Sequence, residues 1–254
     1  MEVVAVDEVV SSIEEIRHRI GHRYVSVAAP EALAERVSLQ VTLAAGHLPE
    51  MELAGLYSPQ APLAILSALT FARSVTEEPA LGHELARTLL GHSWSGAWTA
   101  SVSRLGRPAP SMSQHLRSLL PGPGFLVRQG DHPHVFNQVV PEAFSRSSGD
   151  QVLLMEEEGV PGPVAEQLAR LAGSVSVRPV RLPGRWESVY GTARAGQLAA
   201  LPARPADLLA RPSARCRACG LEQIAAICPF CRVHTESASG VGGSPSRSTS
   251  GGLR

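Results

Sequence analysis

Lysine is absent from this 254-residue chain, and every basic side chain other than histidine is arginine. GC-rich codon usage explains that more simply than an arginine-specific function. The 23 arginines are matched by 23 acidic residues, so the formal net charge is zero. A protein that coats nucleic acid or anionic membrane by bulk charge is thereby excluded, although a local basic face is not. Aromatic residues make up only 4% of the chain, which leaves little for a base-stacking platform. No window approaches eighteen consecutive apolar residues, so no transmembrane helix is expected. The opening MEVVAVDEVV is acidic where a secretory leader is basic, which places the protein in the cytoplasm. There is no glycine-rich phosphate loop, and the HExxR at His83–Glu84 lacks the second histidine of a zinc protease.

The hydrophobic fraction of 44% is that of a folded protein with a sizeable core. Only four cysteines occur, as two CxxC pairs, Cys216/Cys219 and Cys228/Cys231. In a reducing compartment paired CxxC motifs bind metal more often than they form disulfides. Four thiolates satisfy the tetrahedral preference of Zn²⁺ and leave no open position for a substrate. Gly220 lets the backbone turn after the first pair, and Pro229 stiffens the second. The expectation is a structural zinc ribbon over 214–235 with Zn²⁺ as cofactor. His234 is a minor alternative ligand.

An α+β or α/β organisation follows from the periodicities. Residues 1–60 read as a βαβ-like region. Val3, Val4 and Val6 suggest a strand, and Val9, Val10, Ile13, Ile16 and Ile20 a helix stopped by Gly21. Tyr24, Val25 and Val27 suggest a strand, and Pro30 a helix to about Ala45. A similar order recurs over 150–200, with a strand at Gln151–Met155, a helix over 161–172 ended by Gly173, and a strand through Val175, Val177 and Val180. Residues 201–213, punctuated by Pro202, Pro205 and Pro212, read as a linker with one helical turn. The Ser/Gly-rich 236–254 reads as a disordered tail.

Between the two βαβ-like regions, 61–146 carries helices with Leu63, Ile65, Leu66 and Leu69, and with Leu81, Leu85, Leu89 and Leu90. WTASVSRLG then reads as a helix stopped by Gly106, RPAP as a turn, and Ser111 or Ser113 as the start of a further helix. That helix is expected to bury Met112, Leu116, Leu119 and Leu120. FLVRQ and HVFNQVV flank GDHP as a β-hairpin. Helix, turn, helix and hairpin resemble a winged helix–turn–helix of the ArsR/MarR type. The matching residues are Ser113, Gln114, His115 and Leu116, followed by Phe125, Leu126 and Val127. The resemblance implies a DNA-binding face. Ser113, Gln114 and His115 would meet base edges, and Arg104, Arg107, Arg117 and Arg128 would meet phosphates. His132 and His134 stand in the expected wing.

These residues lead to a DNA-associated, non-enzymatic transcription regulator with a structural zinc ribbon. The runner-up is an assembly or scaffold protein with a partner-facing winged helix. A third reading is a serine hydrolase, since GHSWSG at 91–96 approaches the GxSxG nucleophile elbow, with Ser93 as nucleophile. Ser95 stands where that motif wants glycine. Asp150 or Asp207 would need a histidine, and only His234 follows them. Double-stranded DNA, a protein partner and a second copy of the chain are the candidate partners; a membrane is not.

Overall fold

The computed structural model describes residues 8–21, 23–140, 143–144, 150–157, 159–182, 190 and 195–234. The strand expected at Val3–Val6 and the tail at 236–254 lie outside them. Among the described residues no helix is long and apolar enough to cross a membrane.

The first element among the described residues is helix α1 (Val9–Ile20), closed by Gly21 in the left-handed region at φ 67°. Strand β1 (Tyr24–Pro30), helix α2 (Ala34–His47) and strand β2 (Glu52–Ser58) follow, and β1 and β2 pair in parallel. The N-terminal βαβ unit is therefore β1–α2–β2. Period-two alternation decides which side each strand residue serves. Ala29 and Leu53 face Val9 and Ile13 of α1 and Val37, Val41 and Ala44 of α2. Leu56, on the opposite side of β2, faces two helices that pack together, α3 (Pro62–Val75) and α4 (Pro79–Gly91). Each of these helices carries proline in its first turn, where the missing N–H costs nothing.

A six-stranded mixed sheet lies beyond α3 and α4. It comprises β3 (Trp94–Thr99), β4 (Phe125–Arg128), β5 (His134–Phe136), β6 (Gln151–Glu156), β7 (Ser174–Val180) and β8 (Gly196–Pro202). Their spatial order is β5-β4-β3-β8-β6-β7, and only β6 and β7 are parallel. Helix α6 (Gly162–Leu171) makes the crossover between them. Val152, Leu154, Ala199 and Leu201 face α3 and α4, whereas Leu153, Leu198 and Ala200 face Leu168 of α6. β8 is buried on both faces. The two βαβ units do not share a sheet: β1 and β2 form their own pair. A short 3₁₀ turn at Pro205–Leu208 leads to a terminal pair of two-residue strands, β9 (Ala214–Arg215) and β10 (Glu222–Gln223).

The winged helix is not present. Residues 94–99 are strand rather than helix, sandwiched between β4 and β8. Their alternation explains it: Trp94 and Trp98 join the core around α6, while Ala97 joins the core on the other face. Gly96 is required there, because a Cβ would stand 2.1 Å from the carbonyl oxygen of Val127 on the paired strand. The expected wing strands do form an antiparallel pair, but β4 and β5 are the edge of the large sheet and not a free flap.

Candidate functional site

A group of buried polar side chains gathers at the start of α3. β2 runs out at Ser58, and Pro59–Ala61 carry the chain into the helix. Ser95 of β3 and Gln197 of β8 point from the large sheet toward the same turn. Ser95, Gln197 and Ser58 are 0%, 2% and 5% exposed. The Ala61 N–H donates to Ser95 Oγ at 2.8 Å, and Ser95 Oγ donates to Gln60 Oε1 at 2.7 Å. The Leu63 N–H donates to Gln197 Oε1 at 3.2 Å, and the Gln60 N–H to Ser58 Oγ at 3.3 Å. Gln60 Nε2 reaches the carbonyls of Leu90 and Ser93, each at 3.4 Å. The Gly130 N–H closes the ring on the Pro59 carbonyl at 3.1 Å.

Two features make this ring chemically distinct. It lies outside the carboxyl end of a parallel strand and at a helix N-terminus, where amide dipoles favour negative charge. Its side-chain members are all neutral hydroxyls and carboxamides, set against the apolar residues Leu63, Ala97, Val102 and Phe125. Such a place can hold the polar end of an otherwise apolar molecule by hydrogen bonds. Sequence reasoning missed Gln60, Ser58 and Gln197, and noted Ser95 only as a defect in a hydrolase motif. The available signal was a single polar residue inside an apolar run, as Ser95 in WSGAW and Gln197 in GQLAALP.

The hydrolase elbow is absent in a specific way. A nucleophile elbow follows a strand and opens a helix. Ser93 instead follows helix α4 and precedes β3, with its hydroxyl donating back to the Leu90 carbonyl at 2.9 Å. His83 and Glu84 are buried in α4. Glu84 pairs with Arg87 at 2.6 Å, and His83 Nδ1 lies 3.1 Å from Ser26 Oγ. Burial pushes the His83 imidazole below its ordinary value, and Arg87 adds to this against the opposing pull of Glu84.

The residues expected to read DNA do not form a reading head. Helix α5 (Met112–Arg117) has only six residues and presents the reverse of the expected polarity. Met112, Leu116, Leu119 and Leu120 are each well over half exposed, and Gln114 is buried. Gln114 Nε2 donates to the Val135 carbonyl at 2.7 Å, while the Ser111 N–H donates to Gln114 Oε1 at 2.8 Å and completes a capping box. Ser113 Oγ lies 2.9 Å from Ser111 Oγ. His115 is half-buried, and Arg117 and Arg107 are exposed. Arg128 is turned onto its own hairpin, donating to the His132 carbonyl at 2.8 Å with its guanidinium 5.5 Å from the Phe136 ring centre.

The four cysteines do come together, with their sulfurs all within 4.8 Å of one another. The two knuckles repeat one pattern with an offset of twelve. The N–H groups of Gly220 and Arg232 donate to the carbonyls of Cys216 and Cys228, both residues having positive φ (76° and 59°). The N–H groups of Cys216 and Cys228 donate to the carbonyls of Leu221 and Val233. Burial raises the Cys216 thiol, but hydrogen bonds from the backbone N–H groups of Cys219 and Ala218, together with those from the Cys219 and Cys231 side chains, outweigh it and bring it to about 7. The exposed His234 bridges Ile227 through its backbone instead of joining the sulfurs.

No family model matches the chain, and no curated protein does. Solved structures do match it in fold. A DegV family protein from Corynebacterium glutamicum is 16% identical, over 79% of this chain and 82% of that one, with a TM-score of 0.58. A DegV family protein from Eubacterium eligens, loaded with heptadecanoic acid, is 11% identical over 78% and 77% of the two chains, TM-score 0.56. A stearic acid-binding protein from Eubacterium ventriosum is 10% identical over 79% and 77%, TM-score 0.56. These likenesses show a shared fold, and that fold is not a winged helix. The DNA-binding regulator, the winged-helix scaffold and the serine hydrolase are all set aside by it; the chain has the mixed α/β architecture of the DegV family structures.

Proposed function

We propose that this protein is a non-covalent carrier of a long-chain fatty acid or a closely similar amphiphile. The observation that carries the reading is the fold shared with two structures that hold or bind a saturated fatty acid. The ring at the start of α3 supplies what such a ligand needs. A carboxylate is costly to bury unless donors and a favourable dipole meet it. Ser58 and Ser95 offer hydroxyl donors, Gln60 offers a carboxamide that can swing away from Ser95, and the α3 terminus offers its dipole. The acyl chain would lie against Ala61, Leu63, Ala97, Val102 and Phe125. Each methylene buried there contributes about 0.8 kcal/mol, so chain length would dominate affinity and the ring would set orientation. A cytoplasmic location, where the four thiols stay reduced, accords with this function.

The test is direct. Protein purified without detergent is denatured, and the extract is analysed for fatty acids by gas chromatography. Delipidated protein is then titrated with a fluorescent long-chain fatty acid. Stoichiometric lipid in the extract and saturable binding that falls with shorter chains are expected. An empty extract together with no saturable binding overturns the carrier.

A further inference from the structure

We infer that Cys216, Cys219, Cys228 and Cys231 bind one Zn²⁺ as a closed tetrathiolate, and that this ion fastens residues 214–234 onto the N-terminal βαβ unit. A tetrahedron with Zn–S bonds of about 2.3 Å has edges of about 3.8 Å. Cys216–Cys231, Cys219–Cys228 and Cys228–Cys231 stand at 3.6, 3.7 and 3.6 Å. Those values fit three edges of one tetrahedron. They do not fit a disulfide, whose sulfurs are about 2.05 Å apart and pair exclusively, whereas Cys228 has two sulfur neighbours at nearly equal distance.

Two knuckles related by an offset of twelve residues, each closed by the same pair of main-chain bonds and a left-handed residue, aim two pairs of sulfurs at one point. Gln223, 0% exposed, donates from Nε2 to Cys228 Sγ at 3.4 Å, an outer hydrogen bond of the kind that fixes a metal-bound thiolate. The segment has little else to fold around. Its regular structure is one pair of two-residue strands, and its large buried apolar side chains are Leu221 and Phe230. A stretch this short needs a crosslink or an ion to hold a fixed shape.

Phe230, inside the second knuckle, lies edge-on to Tyr24 at the start of β1 (5.3 Å) and to His83 of α4 (6.1 Å). Leu221 packs with Ala54 of β2 and Ala80 of α4. The Glu222 N–H donates to Glu78 Oε1 at 3.1 Å, and the Tyr24 hydroxyl to the Cys219 carbonyl at 3.5 Å. The knuckles thus cover the first residues of β1 and β2 on the face whose remainder is covered by α3 and α4. With the sulfurs tied, Phe230 and Leu221 are presented together; with them untied, the two knuckles separate and that face opens.

The experiment uses the full chain purified under reducing conditions. Elemental analysis and native mass spectrometry are expected to give one zinc and no iron per chain. Exchange into Co²⁺ is expected to give the visible ligand-field bands and sulfur-to-metal charge transfer of a tetrahedral tetrathiolate. Cys219→Ser and Cys231→Ser should lower zinc occupancy toward zero. Stripping zinc with a strong chelator should raise hydrogen exchange at 24–28, 52–56 and 78–84 while leaving β3 and β8 protected. Two disulfides by mass, stoichiometric iron, or four freely reactive thiols without metal would overturn the ion. Unchanged exchange at 24–28 after zinc removal would overturn the clamp. Because the Co²⁺ exchange uses the unaltered chain, a failure of the serine variants to fold does not remove the test.

Discussion

Ser95→Ala isolates the polar ring. The hydroxyl is fully buried, accepts from the Ala61 N–H at 2.8 Å and donates to Gln60 Oε1 at 2.7 Å. Deleting it leaves a buried amide N–H with no partner, at about 1–3 kcal/mol, and weakens the hold on Gln60 as well. A total of about 3 kcal/mol follows. Ser93→Ala is the control two residues away. Its hydroxyl donates to the Leu90 carbonyl, which also accepts from the Ser93 N–H at 3.3 Å and from Gln60 Nε2 at 3.4 Å, so nothing is orphaned. Less than about 1 kcal/mol is expected there. Urea unfolding followed by tryptophan fluorescence reads both variants, since Trp94 and Trp98 sit on the same strand. With a slope of about 3 kcal/mol/M, Ser95→Ala should lower the midpoint by about 1 M, and Ser93→Ala by less than a third of that. If Ser95 also meets a ligand carboxylate, fatty-acid affinity in the same variant should fall about tenfold, equivalent to about 1.4 kcal/mol. Equal midpoints for the two variants would refute the reasoning, because the ring would then hold nothing.

Other expectations concern α4, α5 and the ligand. His83 is buried neutral, with its imidazole held below the ordinary 6.5 by burial. Below about pH 6.5 the unfolded chain takes a proton that the folded one refuses, so stability should decline as pH falls from there toward the folded value. Ser26, Phe230, Glu84 and Arg87 are the groups around it, and His83→Gln should flatten the decline in urea midpoints; identical pH slopes would count against it. Gln114→Ala removes both the capping bond to Ser111 and the bond to Val135, and should cost about 1–3 kcal/mol, with hydrogen exchange rising across 111–118. Arg117→Ala, on the exposed side of the same helix, should change neither quantity. A saturating fatty acid at about a hundred times its Kd should stabilise the fold by about 2.7 kcal/mol, and no rise in melting temperature would contradict the carrier.

The parts of this fold that the sequence announces are those with one wet face. α1 and α6 have apolar residues at helical spacing and glycine stops at Gly21 and Gly173, and β6–α6–β7 can be read almost as observed. The parts it conceals are dry on two sides. β2 (ELAGLYS) and β8 (GQLAALP) are short, rich in small residues and packed on both faces, so neither alternation nor aromatic enrichment marks them. The ring at α3 depends on β3 and β8 meeting across about a hundred residues of sequence, and no local pattern encodes that meeting: the register Ala97 with Gln197 is what brings Ser95 and Gln197 onto one face. The paired cysteines are the opposite case, since the two knuckles are local turns that need no distant partner to bring their sulfurs together.

Besides the strand at 94–99 read as helix, the mistaken winged helix rests on an ambiguity of polarity in α5. Six residues after a capping serine can bury either the leucine side or the glutamine side. A recognition helix buries the leucines, because it must pack on the helix before it and offer polar groups outward. Here the segment before it is a sheet strand, which offers no helical groove for leucines. It is Gln114 that turns inward, because an inward carboxamide satisfies two main-chain groups at once, the Ser111 N–H and the Val135 carbonyl beside an edge strand. Burying Leu116 in its place would leave the buried Val135 carbonyl without this donor, at about 1–3 kcal/mol, and would open the capping box at the exposed Ser111, against about 1.5–3 kcal/mol gained from one buried leucine. The balance turns on β5, whose Val135 carbonyl needs a donor, and so the orientation of a six-residue helix is settled by a strand nearly twenty residues downstream.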